Sequence, residues 1–132
     1  MRPAGPVGLP IGVDLVEIRK ARVFYETHKD HLRAFFTAGE IQKIRQSKKP
    51  HEKLAVYLAA KEAVFKALRA RRAGFLGFRN IGVVEKRKKL SFRLGENLGR
   101  TVYPSSYNLS ILKKKDYVVV RCAGISSKNL TS

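Results

Sequence analysis

The stretch LAAKEAVFKAL, residues 58–68, most constrains how this chain can fold. Leu58, Ala59, Ala60, Ala63, Val64, Phe65, Ala67 and Leu68 are apolar on almost every side of a helix, and such a helix must be buried. Pro50 suits its first turn, and the pattern carries it to about Arg69. Leu54, Tyr57, Leu58, Lys61, Val64, Phe65 and Leu68 form one stripe, which Lys61 interrupts. Glu62 and Lys66 are four apart and share a face. Two readings are open. Either Lys61 snorkels outward while Glu62 and Lys66 form a surface pair, or the three charges serve an ion or an anionic ligand, since a half-buried charge needs a partner.

The elements around this helix follow from pattern and punctuation. PIGVDLVEI reads as a strand apolar on both faces, hence a covered one. Arg19 to about Leu32 is helical with charges outward. Thr37-Ala-Gly-Glu40 is a capping box, which starts a helix at about Ala38 that runs to about Gln46. RARRAGFLGF is a loop. NIGVVEK and LSFRL form a hairpin through a basic turn at Arg87 to Lys89. GENLGRTVYPSS is irregular, with at most one short helix. YNLSIL and YVVVRCAGI are two closing strands around KKKD. The order is α+β: a single domain with helices packed on a mainly antiparallel sheet. Residues 1–10 read as a flexible tail, 11–125 as the domain and 126–132 as a frayed end.

The chain of 132 residues fits one domain, and no apolar run approaches a membrane span. The single cysteine, Cys122, sits in an apolar run and reads as a buried, inert thiol. The formal net charge of +18 points to an anionic partner: nucleic acid, anionic lipid, a phosphorylated metabolite or an acidic protein. A basic RNA-binding domain is one candidate, but no RNA-binding motif is present and nucleic acid is the less favoured partner.

Asp14, in IGVDLVEI, is out of place in a strand. It reads either as a carboxylate satisfied by backbone amides or as one of a pair with Glu62. Two carboxylates from separate elements suit Mg²⁺, which takes oxygen ligands and keeps waters. Lys61 and Lys66 beside such an ion would face phosphate oxygens.

Three stretches in this order carry a resemblance: IGVDLVEI, FTAGE at Phe36 to Glu40, and AAKEAVFKAL at Ala59 to Leu68. They match the patterns G-[IV]-D-x-x-x-[IV], F-T-x-x-E and K-E-A-x-x-K-A of the holo-[acyl-carrier-protein] synthases, the small single-domain class of 4′-phosphopantetheinyl transferase. The resemblance implies Mg²⁺-dependent transfer of the phosphopantetheine arm of coenzyme A to a serine of apo acyl carrier protein. The by-product is adenosine 3′,5′-bisphosphate. It implies Asp14 and Glu62 as metal ligands, Lys61 and Lys66 on diphosphate oxygens, and Asp14, Glu62 and Lys66 as the catalytic set. It implies an acidic carrier protein docked on Arg19, Lys20 and Arg22, and a homotrimer with sites between subunits. A cytoplasmic enzyme serving fatty acid or polyketide carrier proteins fits this picture.

The sequence departs from the family pattern in three places. RARRAG follows Leu68 where the family has a Gly-[TS]-Gly turn. Asn80 and Gly82 stand at two usually acidic positions. The usual Ser-His segment near 108–117 becomes Ser110, Leu112 and Lys113, so Lys113 stands where a histidine helps hold coenzyme A. A weakened or inactive family member that binds without transferring is the alternative within the family.

Overall fold

The computed structural model describes residues 10–69, 80–95 and 104–125. β1 (Ile11–Glu17) runs antiparallel to β5 (Tyr117–Gly124), which pairs on its other edge with β4 (Tyr107–Lys113). The three form one sheet in the order β1-β5-β4. β2 (Ile81–Lys86) and β3 (Lys89–Leu94) form a separate antiparallel hairpin. Among the described residues three α-helices accompany them: α1 (Ile18–His28), α2 (Ala38–Gln46) and α3 (Pro50–Arg69). The expected α+β order therefore holds. Pro10 belongs to the fold, because it is buried and its carbonyl accepts from the Gly124 amide at 2.9 Å. Residues 1–9 of the expected tail, 70–79 of the expected loop, 96–103 of the expected irregular segment and the C-terminal end at 126–132 lie outside the described residues.

α3 lies across the sheet and carries the core. Leu54, Ala55, Val56, Tyr57, Ala59, Ala60, Ala63, Val64, Ala67 and Leu68 are all buried. Val118, Val120 and Cys122 of β5 are fully buried by strand alternation. β1 approaches α3 so closely that only glycine fits at position 12. A Cβ there would lie 2.0 Å from the Ala63 carbonyl oxygen and 2.7 Å from the Ala67 amide nitrogen.

The capping box forms as read. Thr37 Oγ1 accepts from the Glu40 amide at 3.2 Å, and Glu40 Oε1 accepts from the Thr37 amide at 2.8 Å. α1 stops at His28, four residues before the expected end. The chain turns at Lys29 and Asp30, and a 3₁₀ turn at Leu32–Ala34 follows. That turn lets Leu32 and Phe36 reach the core at 2% and 1% exposure, which a straight continuation of α1 would not.

The pattern of β1 predicts a strand covered on both faces, but within the described residues only one face is covered. Ile11, Val13 and Leu15 are 60%, 47% and 53% exposed, and Leu112 of β4 is 50% exposed. Leu15, Val119 and Leu112 lie side by side in the sheet register. The apolar pattern of β1 is real, but no helix of the described chain packs on its outer side.

The β2–β3 turn is tight and basic. Arg87 and Lys88 take φ of 50° and 67°, the left-handed region on both central residues of a two-residue hairpin loop.

Candidate active site

β1 and α3 meet at Asp14. Lys66 Nζ lies 3.0 Å from Asp14 Oδ1 and 3.1 Å from the Val13 carbonyl oxygen. The Asp14 side chain is 19% exposed and that of Lys66 42% exposed, so the pair sits at a wet edge. Glu62 is half-buried. It stands one turn before Lys66 on the same side of α3, and helix residues four apart are surface neighbours. Asp14 and Lys66 thus meet at the margin between β1 and α3, with Glu62 one helical turn away. Among the described residues no group of three or more His, Cys, Asp or Glu side chains is placed to hold a metal ion. A two-carboxylate site leaves room for the waters and substrate oxygens that Mg²⁺ prefers.

Lys61 behaves differently from both readings of it. It is fully buried. Its Nζ lies 2.8 Å from Glu40 Oε1 and donates to the Ile81 carbonyl oxygen. It also stands 5.4 Å from the centre of the Phe36 ring. Lys61 neither snorkels outward nor faces a diphosphate: its head points into the core, away from solvent. Desolvation by burial pushes its ammonium below the ordinary lysine range, and Glu40 opposes that shift without cancelling it.

Glu40 does more than cap α2. It is 2% exposed. Besides the Thr37 amide and Lys61, it accepts from the Val83 amide through Oε2. The signal was in the sequence only as F-T-x-x-E. One carboxylate has room for both jobs because it offers about four acceptor sites.

Lys113 lies elsewhere. It sits at the end of β4, 3.7 Å from Glu52 Oε1 in the first turn of α3. Glu52 and Lys66 are fourteen residues apart on one helix, about 20 Å along its axis. Within one chain, Lys113 therefore does not join Asp14 and Lys66. Its neighbourhood is an ionic cluster in which Lys53 Nζ lies 2.6 Å from Glu85 Oε1. Burial raises the Glu85 carboxyl, but Lys53, the Tyr57 hydroxyl and Lys113 together outweigh it and hold it below the usual carboxylate range. The Tyr57 hydroxyl is pushed well above its ordinary value, first by burial and then by Glu85.

Arg19, Lys20 and Arg22 are exposed on α1. Arg19 lies 3.5 Å and Lys20 3.9 Å from Glu17. Exposed contacts of this kind are weak and leave the cations available to a partner. A cavity of about 700 Å³ opens beside them, lined in part by Arg19, Arg22, His51, Lys115, Asp116 and Tyr117. Lys115 comes beside α1 because the β4–β5 turn reaches that helix only in the fold. The Asp116 carbonyl accepts from the Ile18 amide at 2.9 Å.

A mainly antiparallel α+β domain with a D-strand and a K-E-A-x-x-K helix edge to edge defines a class. The sequence model of the 4′-phosphopantetheinyl transferase superfamily matches residues 10–122, and the chain belongs to that family. Its curated relatives are holo-[acyl-carrier-protein] synthases. That of Chlamydia trachomatis serovar L2 is 32% identical over 80% of this chain and 82% of its own length. That of Chlamydia felis is 28% identical over 87% and 95%. The crystal structure of holo-[acyl-carrier-protein] synthase from Neisseria meningitidis superposes with a TM-score of 0.74 at 27% identity, over 89% of this chain and 98% of that one. The Chronobacterium ammoniagenes synthase in complex with CoA superposes with a TM-score of 0.71 at 25% identity, over 90% and 98%.

Proposed function

We propose that this chain transfers the 4′-phosphopantetheine arm of coenzyme A to a serine of an acidic apo acyl carrier protein in the cytoplasm, releasing adenosine 3′,5′-bisphosphate. The observation that carries this reading is the 3.0 Å contact of Lys66 with Asp14 beside Glu62, which joins two of the family's motifs at one edge. Asp14 and Glu62 fit a Mg²⁺ ion by donor chemistry: both are carboxylates, neither is buried deeply, and among the described residues no third acidic ligand joins them. When bound, such an ion supplies charge neutralisation for the diphosphate.

The chain's own groups do the rest. Lys66 offers a point charge to phosphate oxygens once substrate competes for its contact with Asp14. Arg19, Lys20 and Arg22 present positive charge to the carrier protein, which speeds encounter more than it deepens affinity. The exposed row Ile11, Val13, Leu15, with Leu112, supports a homotrimer in which copies cover this face. In such an assembly a neighbouring copy's Lys113 is free to reach a site that its own chain cannot.

Lys113 in its contact with Glu52 supports a second reading, a family member that binds coenzyme A or carrier protein without transferring the arm. Intact-mass measurement separates the two. The protein is mixed with apo carrier protein, coenzyme A and Mg²⁺, with Asp14→Ala and Glu62→Ala alongside. A gain of one phosphopantetheine arm, lost in both variants, supports the transferase. Binding with no gain supports the second reading.

A further inference from the structure

Lys61 and Glu40 are buried charges that the transfer chemistry does not touch. Lys61 nonetheless adjoins Glu62 in the chain. We infer that the Glu40–Lys61 pair is a positioning element: it fixes the rotation of α3 about its axis and so aims the Glu62 carboxylate toward Asp14. This inference rests on the reading of Asp14 and Glu62 as ligands of a divalent cation.

Besides the apolar packing of its buried side chains, α3 makes polar contacts on two sides close to Glu62. On one side β1 presses on it at Gly12, and Lys66 reaches Asp14 and the Val13 carbonyl. On the other, Lys61 reaches Glu40 at 2.8 Å and the Ile81 carbonyl. Glu40 is itself held by the Thr37 amide and the Val83 amide. The far end of the Lys61 contact is therefore anchored to α2 and β2 together. Successive helix residues point about 100° apart, so fixing the direction of Lys61 fixes that of Glu62.

Stability alone does not call for this pair. A buried ion pair is a weak stabiliser, and apolar residues of similar volume often serve as well. What an apolar pair lacks is direction. Misplacing a catalytic group by about 1 Å costs on the order of 10²-fold in rate. Residues that orient metal ligands affect metal affinity by about 10–100-fold when changed.

The test uses the double variant Glu40→Gln/Lys61→Met, which removes both charges together, and Lys61→Arg, which keeps the charge on a longer planar head. Mn²⁺ binding to the protein alone is read by electron paramagnetic resonance, with melting temperature and steady-state kinetics alongside. The expected result is a folded double variant that binds Mn²⁺ at least about tenfold more weakly. Its kcat falls by a similar factor while KM for the carrier protein stays put. A folded double variant with wild-type Mn²⁺ affinity and kcat overturns the proposal and leaves the pair purely structural. Should the double variant not fold, Lys61→Arg decides: weakened Mn²⁺ binding in a folded protein upholds the proposal, and wild-type binding overturns it. Failure of the underlying reading is seen separately, as no Mn²⁺ binding by the wild type.

Discussion

Lys66 Nζ stands 3.0 Å from Asp14 Oδ1, so a single lysine ties the middle of β1 to the last turns of α3. The Lys66 side chain is 42% exposed, and pairs this wet stabilise by only about 0–1 kcal/mol. Asp14→Asn and Lys66→Ala should therefore melt close to the wild type. Removing an electrostatic group aimed at developing charge costs about 10²–10³ in rate. Transfer followed by intact mass should fall by that order in both. A melt far below the wild type would instead make the contact structural.

Position 12 is the opposite case, structural with no chemistry. Gly12→Ala forces a Cβ against backbone on α3, which cannot withdraw as a side-chain tip can. Overpacking of this sort destabilises by about 1–3 kcal/mol or more. Urea unfolding should show the loss as a lower midpoint, and a midpoint equal to the wild type would mean that β1 shifts freely.

The outer face of β1 predicts behaviour in solution. Val13→Lys with Leu15→Lys places two charges where exposed apolar side chains now stand. Sedimentation velocity should show the wild type as an oligomer and the double variant as a monomer. A wild type that sediments as a monomer at micromolar concentration overturns the trimer.

Cys122 is fully buried, and burial pushes its thiol up to about 12. The native protein should resist a thiol-exchange reagent at pH 8, then react once urea unfolds it. The linkage has a definite sign. An unfolded cysteine titrates near 8.5, so the folded state holds this proton more tightly. The stability from this group is full below about pH 8.5 and is lost as pH rises toward the folded value.

The Lys53–Glu85 contact is lost in acid. The Glu85 carboxyl titrates below its ordinary range in the fold. Its contribution is present above the unfolded carboxylate range and lost as pH falls through the folded value. Glu85→Gln should flatten the acid limb of a plot of melting temperature against pH while leaving the neutral region less affected. An unchanged acid limb would show that Lys53 and Glu85 do not interact in solution.

Local rules reached the helices that begin with a chemical marker. Thr37 and Glu40 mark the start of α2, and Pro50 marks that of α3, because capping and proline geometry act within one turn. The end of α1 escaped them. It is decided by Leu32 and Phe36 reaching a core built from distant residues. The destination of Lys61 escaped for the same reason. Its stripe on α3 pointed inward, but its acceptors, Glu40 and Ile81, come from two other elements. Motif spacing brought Asp14 and Lys66 to one edge. It placed Lys113 only by alignment, and pairing of β4 with β5 carries that lysine to the far end of α3.

The β2–β3 turn holds two long cationic residues in a backbone conformation suited to asparagine and glycine, with Arg87 and Lys88 at φ of 50° and 67°. Strain of this kind is worth on the order of 1 kcal/mol or more per residue. It sits at an exposed tip, on a hairpin separate from the sheet that carries Asp14. For a protein engineer this is a reserve: Arg87→Asn with Lys88→Gly offers a sturdier scaffold, obtained on a hairpin that is not part of the Asp14 sheet.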